Sequence, residues 1–236
     1  MEKLSYPDRF FVLRRQPLGE NDEIVVGLGR SSGRFSAVVK GSRKPRSRLS
    51  GLLEPPVELE GQIRQGRNLD GLSQVQLRRA FAGLRQNLEA LLTAGFFARL
   101  FHEALPERSS HEEIYDLFAQ LHERLADGVS VAPLALWGQD RLLAELGLAT
   151  EIEHCLRCGG SDLRGYSAPE GGKLCGNCYP GSGFAVAAPV LASLRELRAS
   201  QGTPPSLPPP VIREIGRILK GQFQQQAGLS DRVFRR

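Results

Sequence analysis

No segment of this 236-residue chain comes near the roughly eighteen consecutive apolar residues that a membrane span requires. The amino terminus, MEKLSYPDRFFVLRRQ, also lacks the apolar stretch of a secretory signal, so the expectation is a soluble, cytoplasmic protein. A nucleotide-cradling loop is missing as well. GLGRSSGR, at Gly27, has the glycines but not the closing Lys-Ser or Lys-Thr, and it precedes a predicted strand rather than a helix, which argues against ATP hydrolysis. The histidines, His102, His111, His122 and His154, do not group with acids at ligand spacing. His111-Glu112-Glu113 stands at a helix start, where acids offset the helix dipole. Aromatics are sparse in the first part of the chain: alternation assigns Phe10 and Phe35 to a core and leaves Tyr6 or Phe11 for the surface. That scarcity favours tracking a nucleic-acid backbone over reading bases.

The most telling absence is of acid. From Ile24 to Leu53 there is no Asp or Glu, while Arg30, Arg34, Lys40, Arg43, Lys44, Arg46 and Arg48 all fall in that stretch. The net charge of the whole chain is +5, so the cationic character is concentrated here and the remainder is slightly acidic. Such a cluster is the footprint of a polyphosphate-binding surface. KGSRKPRSR, Lys40 to Arg48, is expected to form a mobile basic loop between two strands, its Lys and Arg heads following a sugar-phosphate chain. The alternative is a solvated loop that happens to be basic, with Lys40 guarding a strand edge against aggregation.

Cysteine is scarce, and what there is stands in two C-x-x-C pairs, Cys155 with Cys158 and Cys175 with Cys178, sixteen residues apart. That spacing fits one tetrahedral zinc. Four thiolates leave no open position for water, so the metal is expected to be structural. Two disulfides are the bland alternative and belong to oxidising compartments. A redox C-x-x-C usually follows a strand in a βαβ unit and does not come twice around a glycine-rich insert.

Short apolar runs between glycine-rich turns predict five strands, Phe10 to Leu13, Ile24 to Leu28, Phe35 to Val39, Val57 to Ile63 and Leu72 to Leu77. Five strands in such a span fit a small barrel of the OB-fold kind. After Arg79 the periodicity becomes helical, with Phe81, Leu84, Leu88, Leu91, Leu92, Phe96 and Leu100 at three- and four-residue steps. A second helix follows Pro106 to Ser110, with Ser110 as its cap and Ile114, Leu117, Phe118, Leu121 and Leu125 inward. A third runs from near Pro133 to Gly147, the cysteine lobe covers about 151–183, and another helix spans Pro189 to Ala199. TPPSLPPP is a stiff connector, and a last helix starts after Pro210. The fold class expected is α+β multidomain: an OB-fold β-barrel over 1–79, then an α-helical domain over 80–236 with an inserted four-cysteine zinc ribbon. Arg195, Arg198, Arg213 and Arg217 are candidates for a partner-binding helical face, against the alternative of ordinary solvated charges.

Two rival classes stay open on the residues alone. One is a nucleic-acid-processing enzyme with a zinc ribbon, which needs clustered carboxylates for divalent metal. The acids Glu112, Glu113 and Asp116 sit at helix-surface spacing instead. The other is a zinc scaffold that binds only protein.

VVKGSRKPRSRLSGLLEP after a glycine-rich strand pair, ELGL leading into the first C-x-x-C, GGKLCGNC, and the closing GLSDRVF stand in an order that covers essentially the whole chain. This ordered set resembles the RecO family of bacterial recombination mediators. The resemblance implies an OB-fold, a helical domain and a zinc ribbon within it. It also implies a non-enzymatic protein of DNA repair that binds single- and double-stranded DNA and anneals complementary strands. With RecR it would help load RecA onto strands coated by single-strand binding protein, in association with the nucleoid. The family's DNA-binding role maps here onto Lys40, Arg43, Lys44, Arg46 and Arg48, and its metal role onto Cys155, Cys158, Cys175 and Cys178. Where relatives often carry an aromatic after LLEP, this chain has Pro56.

Overall fold

A computed structural model describes residues 4–179 and 184–235, and divides the chain into two compact units, 1–127 and 128–236. The first unit is built on five strands, β1 (Ser5–Leu18), β2 (Asp22–Gly29), β3 (Gly33–Val39), β4 (Val57–Arg64) and β5 (Asp70–Ala80). They close into a barrel in the order β1-β2-β3-β5-β4, with β1 long enough to pair with β2 along one half and β4 along the other. All five predicted strands are present.

The barrel closes because alternate residues are apolar. Phe10, Val12, Val25, Phe35, Ala37, Val39, Leu59 and Ile63 point inward and are almost entirely removed from water. Phe10 and Phe35 meet edge to face at 5.5 Å. Gly27 is required beside them, since a Cβ there would stand 2.5 Å from the Phe35 ring.

The basic stretch after β3 is a loop of hydrogen-bonded turns. Arg43 N–H donates to Asn21 O at 3.0 Å, Ser47 N–H to Lys44 O at 2.9 Å, and Ser47 Oγ caps the short helix α1 (Arg48–Leu52). Its serines and glycines make turns rather than slack.

Helices α2 (Leu88–Ala104) and α3 (Glu112–Ala126) complete the first unit. Asn87 caps α2 through Ala90 N–H, and the residues before it form a 3-10 turn, so the helical pattern starting at Phe81 spans two elements. His111 rather than Ser110 is the N-cap of α3, without a side-chain cap bond. The domain boundary read between residues 79 and 80 thus differs from the compact division after Asp127. The reason is packing, because Phe11 points out of the barrel into Phe81, Tyr115, Phe118 and His122 and is 1% exposed. Of the two aromatics read as surface candidates, only Tyr6 keeps partial exposure. Leu88 and Leu92, counted in the apolar stripe of α2, face solvent.

In the second unit α4 (Val131–Glu145), α5 (Ala188–Ala199) and α6 (Pro209–Gln226) pack on one another. The Trp137 indole N–H donates to Ser200 O at 3.0 Å. A small sheet, β7 (Gly172–Cys175), β6 (Leu163–Ser167) and β8 (Phe184–Ala185), carries the cysteine lobe. The buried Tyr166 hydroxyl ties this sheet to α6, 3.1 Å from Ile218 O and 2.9 Å from Gln222 Oε1. Residues 180–183, the end of the predicted lobe, lie outside the described residues. Among the described residues no helix is long and apolar enough to cross a membrane.

Candidate nucleic-acid interface and metal centre

Each C-x-x-C pair forms a tight turn that aims two sulfurs at one point. Cys155 N–H donates to Gly160 O and Gly159 N–H returns to Cys155 O, both at 2.8 Å, with Gly159 at a φ of 74° that favours glycine. The second turn repeats the device with Cys178 N–H and Tyr179 N–H on Cys175 O. The four sulfurs lie within 4.8 Å of one another, and Cys158 Sγ is 3.6 Å from Cys175 Sγ. Tetrahedral zinc with sulfur ligands at about 2.3 Å spaces them about 3.8 Å apart, so the donor set fits a metal ion of that size. Among the described residues this is the group of donors able to hold a metal.

The thiols divide their protons unevenly. The backbone N–H groups of Cys175, Cys158 and Arg157 bring Cys155 down to about 6, whereas Cys178, hydrogen-bonded to Cys158 and then to Cys175, is pushed up to about 12. Four clustered thiolates repel one another, and a cation relieves that repulsion. Arg157, between the first pair, was not singled out from the sequence. Its Nε and Nη2 hold both Glu170 oxygens at 2.9 Å and its Nη1 donates to Cys178 O at 3.2 Å, so one guanidinium ties the two turns together. An arginine inside a C-x-x-C turn was the available signal. His154 is exposed and not in the cluster.

The seven basic residues of the amino-terminal cluster separate into two sets. Lys40, Arg43, Lys44 and Arg46, between β3 and α1, and Arg48, the first residue of α1, are exposed, and none forms an ion pair among the described residues. Arg43 Nη1 donates to Gly19 O at 2.9 Å, which joins this segment to the β1–β2 turn. The other two are held internally. Arg30 faces Glu112 at 3.4 Å and Asp116 at 3.5 Å, and Arg34 is 3.9 Å from Glu107 and 3.5 Å from His102 Nδ1. Each of the two thus faces a carboxylate far away in sequence, in pairs that stay open to solvent.

The four arginines of the second unit divide likewise. Arg198 grips the buried Asp140 through Nε and Nη2 at 2.9 to 3.1 Å and donates to Thr150 O. Arg195 holds Glu153 at 2.8 Å and Ile152 O. Arg217 lies over the Phe184 ring at 3.3 Å, a cation–π contact. Arg213 alone of the four is exposed without such an engagement among the described residues.

Comparison with known proteins gives this geometry its family. The model of the recombination protein O N-terminal region matches residues 1–81, and that of the recombination protein O C-terminal region matches residues 85–232. A DNA repair protein RecO of Anaeromyxobacter dehalogenans is 34% identical over 229 residues, covering 92% of this chain and 89% of its own length. That of Gloeobacter violaceus is 35% identical, with 83% and 77% covered, and that of Rubrobacter xylanophilus is 31% identical, with 82% and 81% covered. With both halves matched in order, and relatives above 30% identity along most of their length, the chain belongs to the recombination protein O (RecO) family of DNA repair proteins.

Proposed function

We propose that the chain is a non-enzymatic recombination mediator whose barrel is an OB-fold that binds single- and double-stranded DNA and anneals complementary strands. The observation that carries this reading is the set of five exposed cations, Lys40, Arg43, Lys44, Arg46 and Arg48, on one folded segment without an acid to neutralise them. Two DNA strands repel as polyanions. Cations at the barrel surface lower that repulsion and release condensed counterions, which is the main source of sequence-independent affinity. Because Arg43 pins the segment to the β1–β2 turn through its backbone N–H and its guanidinium, its cations are held near one another before DNA arrives. Five contacts correspond to a log–log salt slope of about −3.5 for single strands.

In this reading the partners are RecR and single-strand binding protein, with RecA loading as the outcome, and the protein works at the nucleoid in the bacterial cytoplasm. Arg213 is the candidate on the helical unit for a partner's acidic segment. Cys155, Cys158, Cys175 and Cys178 would hold one zinc ion as a structural zinc ribbon. The metal would cross-link the two turns and perform no chemistry on DNA.

Fluorescence-anisotropy titration with a labelled oligonucleotide at several salt concentrations tests the DNA reading. Replacement of Lys40, Arg43, Lys44 and Arg46 by Glu is expected to abolish binding while the far-ultraviolet circular dichroism stays the same. Unaltered affinity in that variant refutes the assignment. Cleavage of DNA in the presence of magnesium would instead support an enzyme.

A further inference from the structure

Within the first unit, between strands β1 and β4 and helices α2 and α3, the chain encloses a cavity of about 90 Å³. Its floor is closed by Phe11 and Phe118, each 1% exposed, and by His122, 3% exposed. Pro55 and Gly95 also line it and are exposed, so they mark its mouth. A Cβ on Gly95 would meet nothing within 4 Å, and no side chain covers the entrance at that point. Leu88 and Leu92, on the same side of α2 as the lining residues Leu91 and Gly95, stand 70% and 63% exposed beside it.

His122 is the one polar side chain in this lining. Its Nδ1 lies 2.8 Å from Phe118 O, and a carbonyl only accepts, so the ring proton is on Nδ1. Nε2 is then a bare acceptor. It has no hydrogen-bond partner among the described residues, and it is not among the atoms sealed from water. With the rest of the ring packed on Phe11, Phe81 and Phe118, Nε2 is reached through the cavity. Burial brings the imidazole pKa down to about 4, so at neutral pH the lone pair stays available. Water fills such a place poorly, because an ordered molecule needs several polar partners and the lining side chains offer one.

We propose that this cavity receives a phenol ring, which enters hydroxyl first and donates to His122 Nε2 while Phe11 and Phe118 meet its apolar body. The hydroxyl is the leading atom of such a ring, and the group opposite it stays at the mouth. A sealed apolar cavity of about 150 Å³ holds a benzene ring. The smaller space here suits a ring seated from one side, with its trailing edge between Pro55 and Gly95. An aliphatic alcohol would bring the donor but not the edge and face contacts that the phenylalanines offer. Phenols come from two sources, a free small molecule or the tyrosine of another polypeptide, for which Leu88 and Leu92 extend the apolar contact beyond the ring. None of the lining residues belongs to the basic segment, so phenol binding and DNA binding are separable.

The test titrates the full chain with p-cresol, the side chain of tyrosine without its backbone, and with toluene, which lacks only the hydroxyl. Saturable binding of p-cresol is expected by calorimetry, together with a Tm that rises with its concentration. Affinity should exceed that for toluene about fivefold, the factor of one hydrogen bond. The imidazole nitrogen resonance of His122 Nε2 should move as p-cresol is added, a change that a purely structural histidine would not show. Gly95→Leu sets a side chain over the mouth and should abolish binding of both compounds. Leucine is the better helix former at that position, and unfolding curves establish that the variant is folded. N-acetyl-tyrosinamide separates the sources. Affinity equal to that of p-cresol or better assigns the ring to a polypeptide, and weaker or absent binding assigns it to a free molecule. Failure of p-cresol to saturate, equal affinity for toluene, or undiminished binding to Gly95→Leu each overturns the proposal.

Discussion

The Tyr115 hydroxyl donates to the Glu58 carboxylate at 2.7 Å, joining α3 to strand β4 inside the first unit. Glu58 is 7% exposed and also accepts from Arg79, which in turn pairs with Glu123 of α3. Burial and this bond together hold the tyrosine far above its ordinary ionisation range. Removing the hydroxyl leaves a buried carboxylate with one partner fewer. Tyr115→Phe is therefore expected to cost about 1–3 kcal/mol, read as a lower urea midpoint at an unchanged slope.

His122 gives the first unit a dependence on acid. Burial among Phe11, Phe81 and Phe118, with a smaller contribution from Arg79, brings its pKa down to about 4. An unfolded histidine titrates near 6.5. Between those values the unfolded chain binds the proton and the folded one does not, so stability is complete above about pH 6.5 and falls as pH drops towards 4. The loss is expected to reach about 3 kcal/mol. His122→Phe should reduce this slope in unfolding curves collected from pH 7 to pH 4, and an unchanged slope would count against the assignment.

Metal analysis should find about one zinc per chain in protein purified without chelators. Stripping it, or changing Cys175 to Ser, is expected to raise hydrogen exchange across 151–179 and to leave the barrel strands protected. Peptides that fold only with zinc gain about 10–16 kcal/mol, and the effect here should be smaller because the helices of the second unit have their own core. Arg157→Ala should weaken metal retention without removing a ligand, by about tenfold or more.

Arg198→Ala and Arg213→Ala should part company in thermal unfolding. The first abandons the buried Asp140 and is expected to cost about 3–5 kcal/mol. Truncating the exposed Arg213 should stay within about 0.5 kcal/mol, and any loss of partner binding there would be a surface effect.

Arg30→Ala and Arg34→Ala should leave the salt slope of DNA binding nearly unaltered, in contrast to changes at Lys44 or Arg46. Each already spends its charge on carboxylates of the first unit. A drop in slope equal to that of Lys44→Ala would place them at the interface after all.

The elements and the chemistry they carry are legible from residue order alone. Alternation across Ile24 to Val39 specifies strands, three- and four-residue steps specify helices, and paired C-x-x-C turns bring thiols together because each turn is local. The concentration of cations before Leu53 is likewise a property of composition. Which cations stay unpaired depends instead on folding, since Arg30 meets Glu112 and Asp116 from a distant part of the chain. Folding also decided that Phe11 is covered by α3 and that α2 and α3 join the barrel. Burial, ion pairing and strand register are relations between distant segments. They depend on how the chain closes on itself, whereas turns and periodicity depend on neighbours a few residues apart.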